Sequence, residues 1–292
     1  MSSRLAAAML AVGIAFPAIP ALYEIPVLGP VITQAYKGLP ANIQSQIPGN
    51  IRAQLAPGSA GQNARVTPVS TASAQAKLDA LIRDVQGRHQ GRVAVSVAGD
   101  GVQFSAGDNR PEPAFSTMKV PAAIGALRHS PAFYLDAEIA VTSSDNLAAH
   151  RMFAKVSGAE LNGIIAEAGS RTTNSAGYQM GTLWTTSDQA AFASGLRCVE
   201  GHEPVLDMMG RVVDYQRWGL GRIPRAKFKG GWNQHENGHL ARQFGLFPGP
   251  NGDVAVAITA LSPAGYQESF AMLNELADGV ARISGTLPVS RC

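Results

Sequence analysis

Three runs of alternating or β-branched residues, 226–233, 239–247 and 253–261, follow one another near the C-terminus with five residues between neighbours. A parallel crossover needs a dozen or more residues, so runs this close must pair antiparallel. Asn237 with Gly238, and residues 248–252 with their Pro, Asn and Gly, supply the turn chemistry. A second pair of runs, 92–98 and 102–106, is joined through Gly99, Asp100 and Gly101, another hairpin signal. Leu78, Leu81, Ile82 and Val85 fall at helical spacing before Gly87, and Phe270, Leu273, Ala277 and Val280 mark one face of a closing helix. Most of residues 116–196 reads as helical. The expectation is an α+β fold: an antiparallel five-stranded sheet covered by N- and C-terminal helices, with an inserted all-helical lobe.

At 46% hydrophobic and 15% charged, 292 residues supply a sizeable core and exclude a disordered chain. The net charge of +3 is spread without a basic run or stripe, which argues against nucleic acid as a partner. Two cysteines, Cys198 and Cys292, are too few for a four-cysteine zinc cluster and stand too far apart for a CxxC pair; they leave one disulfide or two thiols.

The chain opens with a short positive start, Met1 to Arg4, and a 12-residue apolar or small run from Leu5 to Phe16, too short to span a bilayer. Pro17 and Pro20 follow, among the small residues Ala15, Ala18 and Ala21. This reads as a signal peptide over residues 1–21, cleaved after Ala18 or Ala21, with an uncleaved anchor as the alternative. Residues 22–74 carry six prolines and four charged side chains and read as a linker or cell-envelope tether, so the folded domain is expected over 75–292. The expected location is extracytoplasmic, secreted or envelope-associated, and a monomer is expected.

Ser116 and Lys119 stand three apart at the start of an expected helix, where positions three apart are neighbours. A serine hydroxyl is a weak nucleophile until a base takes its proton, and an amine serves when burial lowers its pKa. The helix start also aims backbone N–H groups at the place where an oxyanion would develop. Ser144, Asp145 and Asn146 precede another helical pattern, which positions a hydroxyl and an amide at its opening turn; ordinary capping is the plainer reading. Lys229, Gly230 and Gly231 lie inside an expected strand and are followed by Trp232. Glycines weaken strands, so a ligand approaching this edge closely, or a bulge, would account for them.

In this order and on these elements, the three groups resemble the motifs of the penicillin-recognising serine hydrolase superfamily, class A β-lactamases and D,D-peptidases included. The resemblance covers roughly residues 75–288, including 139–149 and 185–191. It implies Ser116 as nucleophile and Lys119 as its base, with Ser144 relaying a proton to the leaving nitrogen. Asn146 would bind a substrate amide, and Lys229 would steady the protonation network and attract a substrate carboxylate. The N–H groups of Ser116 and Trp232 would form the oxyanion hole, with Gly231 leaving room for the acyl group. The implied activity is acyl transfer on an exported serine enzyme, the acyl donor being a β-lactam or a D-Ala-D-Ala-like amide of a peptidoglycan stem peptide, with no cofactor and no metal. A non-catalytic or acylation-only envelope protein that binds peptidoglycan or β-lactams is the alternative.

Two departures stand out. Between Glu167 and Asp188, where class A enzymes keep the glutamate that activates the deacylating water, there is no Asp or Glu; Asn174, Ser175, Tyr178 and Gln179 are poor bases. Gly230 stands where the family has Thr or Ser, which deletes a hydroxyl that would bind a carboxylate, and Arg242 or Arg222 is a candidate replacement. The short interval from Ser116 to Ser144 also implies a reduced helical lobe and an open cleft. Residues 235–239 spell H-E-x-x-H, but a zinc site needs that motif on a helix, and Asn237–Gly238 calls for a turn. The sequence has no G-x-S-x-G elbow for a Ser-His-Asp hydrolase.

Overall fold

A computed structural model describes residues 71–99, 101–176 and 179–292, the side chains of 71, 72, 179 and 180 excepted. The expected signal segment and the linker up to residue 70 lie outside the described residues. Helix α1 (Thr71–Arg88) already includes residues 71–74. It leads into β1 (Arg92–Gly99) and β2 (Val102–Gly107), then a short strand β3 (Glu112–Phe115). A 3₁₀ turn (Ser116–Met118) opens α2 (Lys119–His129), followed by α3 (Tyr134–Thr142), α4 (Asn146–Phe153) and α5 (Gly158–Glu167). Strand β4 (Gln179–Trp184), α6 (Thr186–Gly195) and α7 (Glu203–Met209) come next. Strands β5 (Lys227–His235), β6 (Gly238–Gly249) and β7 (Gly252–Ser262) and helix α8 (Tyr266–Ile283) complete the chain.

The five-stranded sheet has the order β2-β1-β7-β6-β5, antiparallel throughout, so β5 is an edge strand. One face packs on α1 and α8: Leu78, Leu81, Ile82 and Val85 meet Val93, Val95, Val97 and Ile258, with Leu273, Leu276 and Val280 from α8. Each large aliphatic side chain buried here contributes about 1.5–3 kcal/mol. On the other face Phe244, Leu246, Ala255 and Ala257 join α6 and the helices of the lobe in one core. Trp184 and Phe192 meet edge to face there, with ring centroids 5.2 Å apart.

The block 116–196 is not wholly helical. Strand β4 interrupts it and pairs antiparallel with β3 in a separate two-stranded sheet, Glu112 opposite Trp184 and Phe115 opposite Gln179. A four-residue strand containing Pro113, with its partner nearly seventy residues away, carries no alternation to read. The cysteines are bonded, Cys198 to Cys292 with Cα atoms 5.5 Å apart, which ties the C-terminus to the turn after α6. No helix of the described residues is long and apolar enough to cross a membrane.

Candidate active site

Ser116 opens the 3₁₀ turn between β3 and α2 and is partly exposed, while Thr117, Met118 and Lys119 behind it are buried. The turn begins under strain, since Phe115 has φ 48°, a left-handed value that a bulky residue rarely adopts. Two packed elements hold it there. A Cβ placed on Gly231 would lie 2.9 Å from the Ser116 nitrogen, 3.0 Å from the Ala114 oxygen and 3.0 Å from the Phe115 Cβ, so β5 and the serine turn pack backbone to backbone. Behind the turn, the Thr117 hydroxyl donates to the Ala114 carbonyl at 2.5 Å and accepts from Gln189 Nε2 at 2.9 Å.

Arg242 completes that support. It lies opposite Gly231 on β6, is fully buried, donates from Nε to Gln189 at 3.1 Å, and from Nη1 to the Glu112 and Trp184 carbonyls at 2.9 Å each. It stitches β3 to β4 beneath the serine rather than reaching for a ligand. Arg222 is paired with Asp278 at the surface. Neither arginine therefore takes the place of the missing hydroxyl at position 230. The supporting roles of Thr117 and Gln189 are not legible in the sequence, and Arg242, a candidate ligand-side cation there, serves instead as part of this support.

Ser144 is the hub of the cluster. It sits between α3 and α4 with φ 63°, and this left-handed turn presents both its hydroxyl and its carbonyl to one side. Asp145 caps α4 by accepting from the Ala148 N–H at 2.8 Å, which fixes the turn from below. Lys119, with no exposed surface, donates to the Ser144 carbonyl at 2.5 Å, to Ser144 Oγ at 3.2 Å and to Asn146 Oδ1 at 2.9 Å. Lys229, equally buried, donates to Ser144 Oγ at 3.0 Å and to the Gly230 carbonyl at 3.1 Å. Two lysine side chains from different elements thus share one hydroxyl, and Ser116 stands three residues before Lys119 in the turn that leads into its helix.

Burial pulls the Lys119 amine down to about 7, with the Asp145 charge opposing. Burial also pushes Lys229 well below its ordinary value, and the charge of Lys119 pushes it further. The repulsion between the pair thus weighs on Lys229, and desolvation alone accounts for the depressed base.

Asn146 is exposed at the first turn of α4, and Trp232 is partly exposed on the edge strand. The loop before β4 is organised by Asp188: it accepts from the Ser170 hydroxyl at 2.5 Å, the Arg171 N–H at 2.7 Å and the Thr172 N–H at 3.3 Å. Asn162 holds Ser175 through its N–H at 2.6 Å. Residues 235–239 form a hairpin, not a helix. His235 pairs with Glu112 at 3.1 Å, while His239 stacks its ring edge against Tyr266. Among the described residues no group of His, Cys, Asp or Glu is arranged to hold a metal ion.

No protein-family model and no curated protein matches the chain. Solved structures do. A β-lactamase from Sphaerobacter thermophilus superposes with a TM-score of 0.58 at 18% identity, covering 74% of this chain and 99% of that one. The TLA-3 extended-spectrum β-lactamase gives 0.59 at 15% identity over 71% and 99%. A class A β-lactamase from Bacteroides cellulosilyticus gives 0.58 at 13% over 71% and 98%. The chain has the fold of the class A β-lactamases.

Proposed function

We propose that the protein is an exported serine acyl-transfer hydrolase of the β-lactamase and penicillin-binding type, acylated on Ser116 by a β-lactam or by an amide resembling D-Ala-D-Ala. The observation that carries this reading is the convergence of Lys119 and Lys229 on the Ser144 hydroxyl beside the strained serine turn.

With its amine drawn down to about 7 by burial, Lys119 can take the Ser116 proton near neutral pH. Ser116 Oγ then bonds to the substrate carbonyl carbon, whose oxygen becomes an oxyanion held by the N–H groups of Ser116 and Trp232. The bond to the leaving nitrogen breaks as Ser144 passes it a proton, replenished from Lys119. Lys229 steadies the relay through its hydrogen bond to Ser144 Oγ, Asn146 orients the acyl amide, and Gly231 leaves space for the acyl chain. Cys198–Cys292 fits an oxidising, extracytoplasmic compartment. A tether through residues 1–74 would hold the domain near peptidoglycan.

Hydrolysis of the acyl-enzyme is the weak step. Residues 168–187 hold no carboxylate, and Asp188 spends its oxygens on the loop. That favours the second reading, an acylation-only envelope protein, over an efficient β-lactamase. Intact mass after incubation with a penicillin tests both. The expected result is an adduct on Ser116 that lasts for hours and is absent from Ser116→Ala; an adduct that clears in seconds would restore efficient turnover. Failure of both penicillin and a fluorophosphonate to label Ser116 would overturn the serine reading.

A further inference from the structure

The turn that carries Ser144 sends three consecutive carbonyls to partners outside its helix. Helix α3 ends at Thr142, and the last carbonyls of a helix have no partner within it. The Thr142 carbonyl accepts from the Val213 N–H at 3.1 Å. The Ser143 carbonyl accepts from Gln216 Nε2 at 2.9 Å and from the Tyr215 hydroxyl at 3.3 Å, and the Ser144 carbonyl accepts from Lys119. One segment, residues 213–216, therefore meets the first two.

That segment is a strut between the lobe and the sheet. Ahead of it, Arg211 pairs with Glu138 of α3 at 2.5 Å. Behind it, the Trp218 carbonyl accepts from Gln243 Nε2 of β6 at 2.8 Å, and the Gly219 and Leu220 N–H groups donate to Asn274 of α8 and to Gln243 at 2.6 Å each. Lys119 reaches Ser144 from the lobe and Lys229 reaches it from the sheet, so a segment fastened to both keeps the hydroxyl in register with the two amines. Gln216, at 3% exposure, makes its bond away from water, whereas Tyr215 is 72% exposed.

The Ser143 carbonyl belongs to the peptide plane that joins Ser143 to Ser144. The planes on either side of it are tied to the Ile139 carbonyl through the Ser143 and Asp145 N–H groups, at 3.1 and 3.2 Å, while Gln216 and Tyr215 hold the plane between them. Turning that plane changes φ of Ser144, which is 63°, a left-handed value that a serine keeps when its surroundings impose it. Release of the plane lets the backbone relax to negative φ. The hydroxyl then swings away from Lys119 Nζ at 3.2 Å and Lys229 Nζ at 3.0 Å.

We infer that Gln216 is a positioning residue for the proton relay: its amide holds the Ser143–Ser144 peptide so that the Ser144 hydroxyl stays between the two lysines. This rests on the serine reading above and says which step the residue serves. When a β-lactam acylates Ser116, the Oγ–carbon bond forms and the carbon–nitrogen bond breaks. The nitrogen takes its proton from Ser144, and Lys119 resupplies Ser144 with the proton taken from Ser116. When a fluorophosphonate labels Ser116, the Oγ–phosphorus bond forms and fluoride leaves without a proton, so the serine proton stays on Lys119. The first reaction needs Ser144 in place; the second does not.

The two reactions are timed on the full chain by intact mass, with benzylpenicillin and with a fluorophosphonate. Gln216→Met keeps the length of the side chain and removes the donor. It should slow penicillin acylation at least about tenfold and leave fluorophosphonate labelling within about threefold of the parent. In a Ser144→Ala background the same substitution should cost less than about twofold, because the hydroxyl it positions is gone. Gln216→Glu keeps the outline of the side chain while its ionised carboxylate cannot donate; the same split in this variant separates loss of the donor from loss of packing. Penicillin acylation unchanged in Gln216→Met, both reagents slowed alike, or the full loss repeated on top of Ser144→Ala would overturn the inference while the parent stays labelled. A parent that takes the fluorophosphonate and not the penicillin has no relay serving a leaving nitrogen, and overturns it too. A parent that neither reagent labels would instead remove the serine reading.

Discussion

Holding an amine ready to act as a base costs the fold stability. Drawing Lys119 from 10.5 to about 7 corresponds to roughly 5 kcal/mol against its charged form. The unfolded lysine keeps its proton up to about pH 10, so between pH 7 and 10 the unfolded state binds more protons and stability rises with pH. Activity follows the same group with a simple sign, because only the neutral amine accepts the serine proton. The acylation rate of Ser116 should climb as pH rises through about 7 and level off above it. A profile flat from pH 5 to 9, read by stopped-time mass spectrometry, would take Lys119 out of the role of base. Lys119→Ala should slow acylation by roughly two to four orders of magnitude. Ser144 separates geometry from chemistry, since its φ of 63° suits glycine. Ser144→Gly relieves strain and Ser144→Ala keeps it, while both delete the shared hydroxyl. Both should lose acylation about a hundredfold or more. Of the two, the alanine variant should melt lower; the reverse order would mean that the turn stores no strain.

At the scale of elements, the site exists because an edge strand lies flush against a helix start. Gly231→Ala would drive a methyl to within 3.0 Å of the Ser116 nitrogen and the Ala114 carbonyl, so β5 and the serine turn must part by a few tenths of an ångström or more. A misplacement near 1 Å costs about a hundredfold in rate, so acylation should fall by roughly that factor while circular dichroism and the sheet remain native. Acylation unchanged in this variant would show that the contact is slack. The sequence made the sheet readable because its strands alternate and its turns are short. The helix starts at Ser116 and Asn146 and the glycine pair on β5 were readable for the same local reason. Contacts closed by the fold were not. Arg242 looked like a carboxylate binder until β3 and β4 supplied carbonyls for it. Gly230 looked like a lost hydroxyl until Trp218, a dozen residues earlier, filled its place. The β3–β4 pair itself hid behind Pro113 and a long separation.

At the scale of the whole domain, one face of the sheet is closed by α1 and α8, helices far apart along the chain, the other by α6 and the lobe, and the last residues return to the end of α6 and the start of β7. The Ser290 N–H donates to the Asp253 carbonyl at 2.7 Å, the Arg291 N–H donates to Ser194 Oγ at 3.1 Å, and Arg197 pairs with Asp253. Cys198–Cys292 locks this lacing across a separation of 94 residues. A bridge closing so long a loop removes much freedom from the unfolded chain and contributes about 2–4 kcal/mol. Cys198→Ser should therefore lower the melting temperature by about 4–16 °C. The bridge joins the turn after α6 to the C-terminus, and neither cysteine lies on an element that carries the serine, the lysines or the edge strand. Acylation of Ser116 at 25 °C should thus stay within about twofold of the parent. If labelling collapsed far below the melting temperature of the variant, α6 would have to be passing the loss to Gln189 and, through Thr117, to the serine turn. The Thr117–Gln189–Arg242 network would then be the path by which the sheet's far edge governs the nucleophile, and Gln189→Leu would reproduce the defect with the disulfide intact.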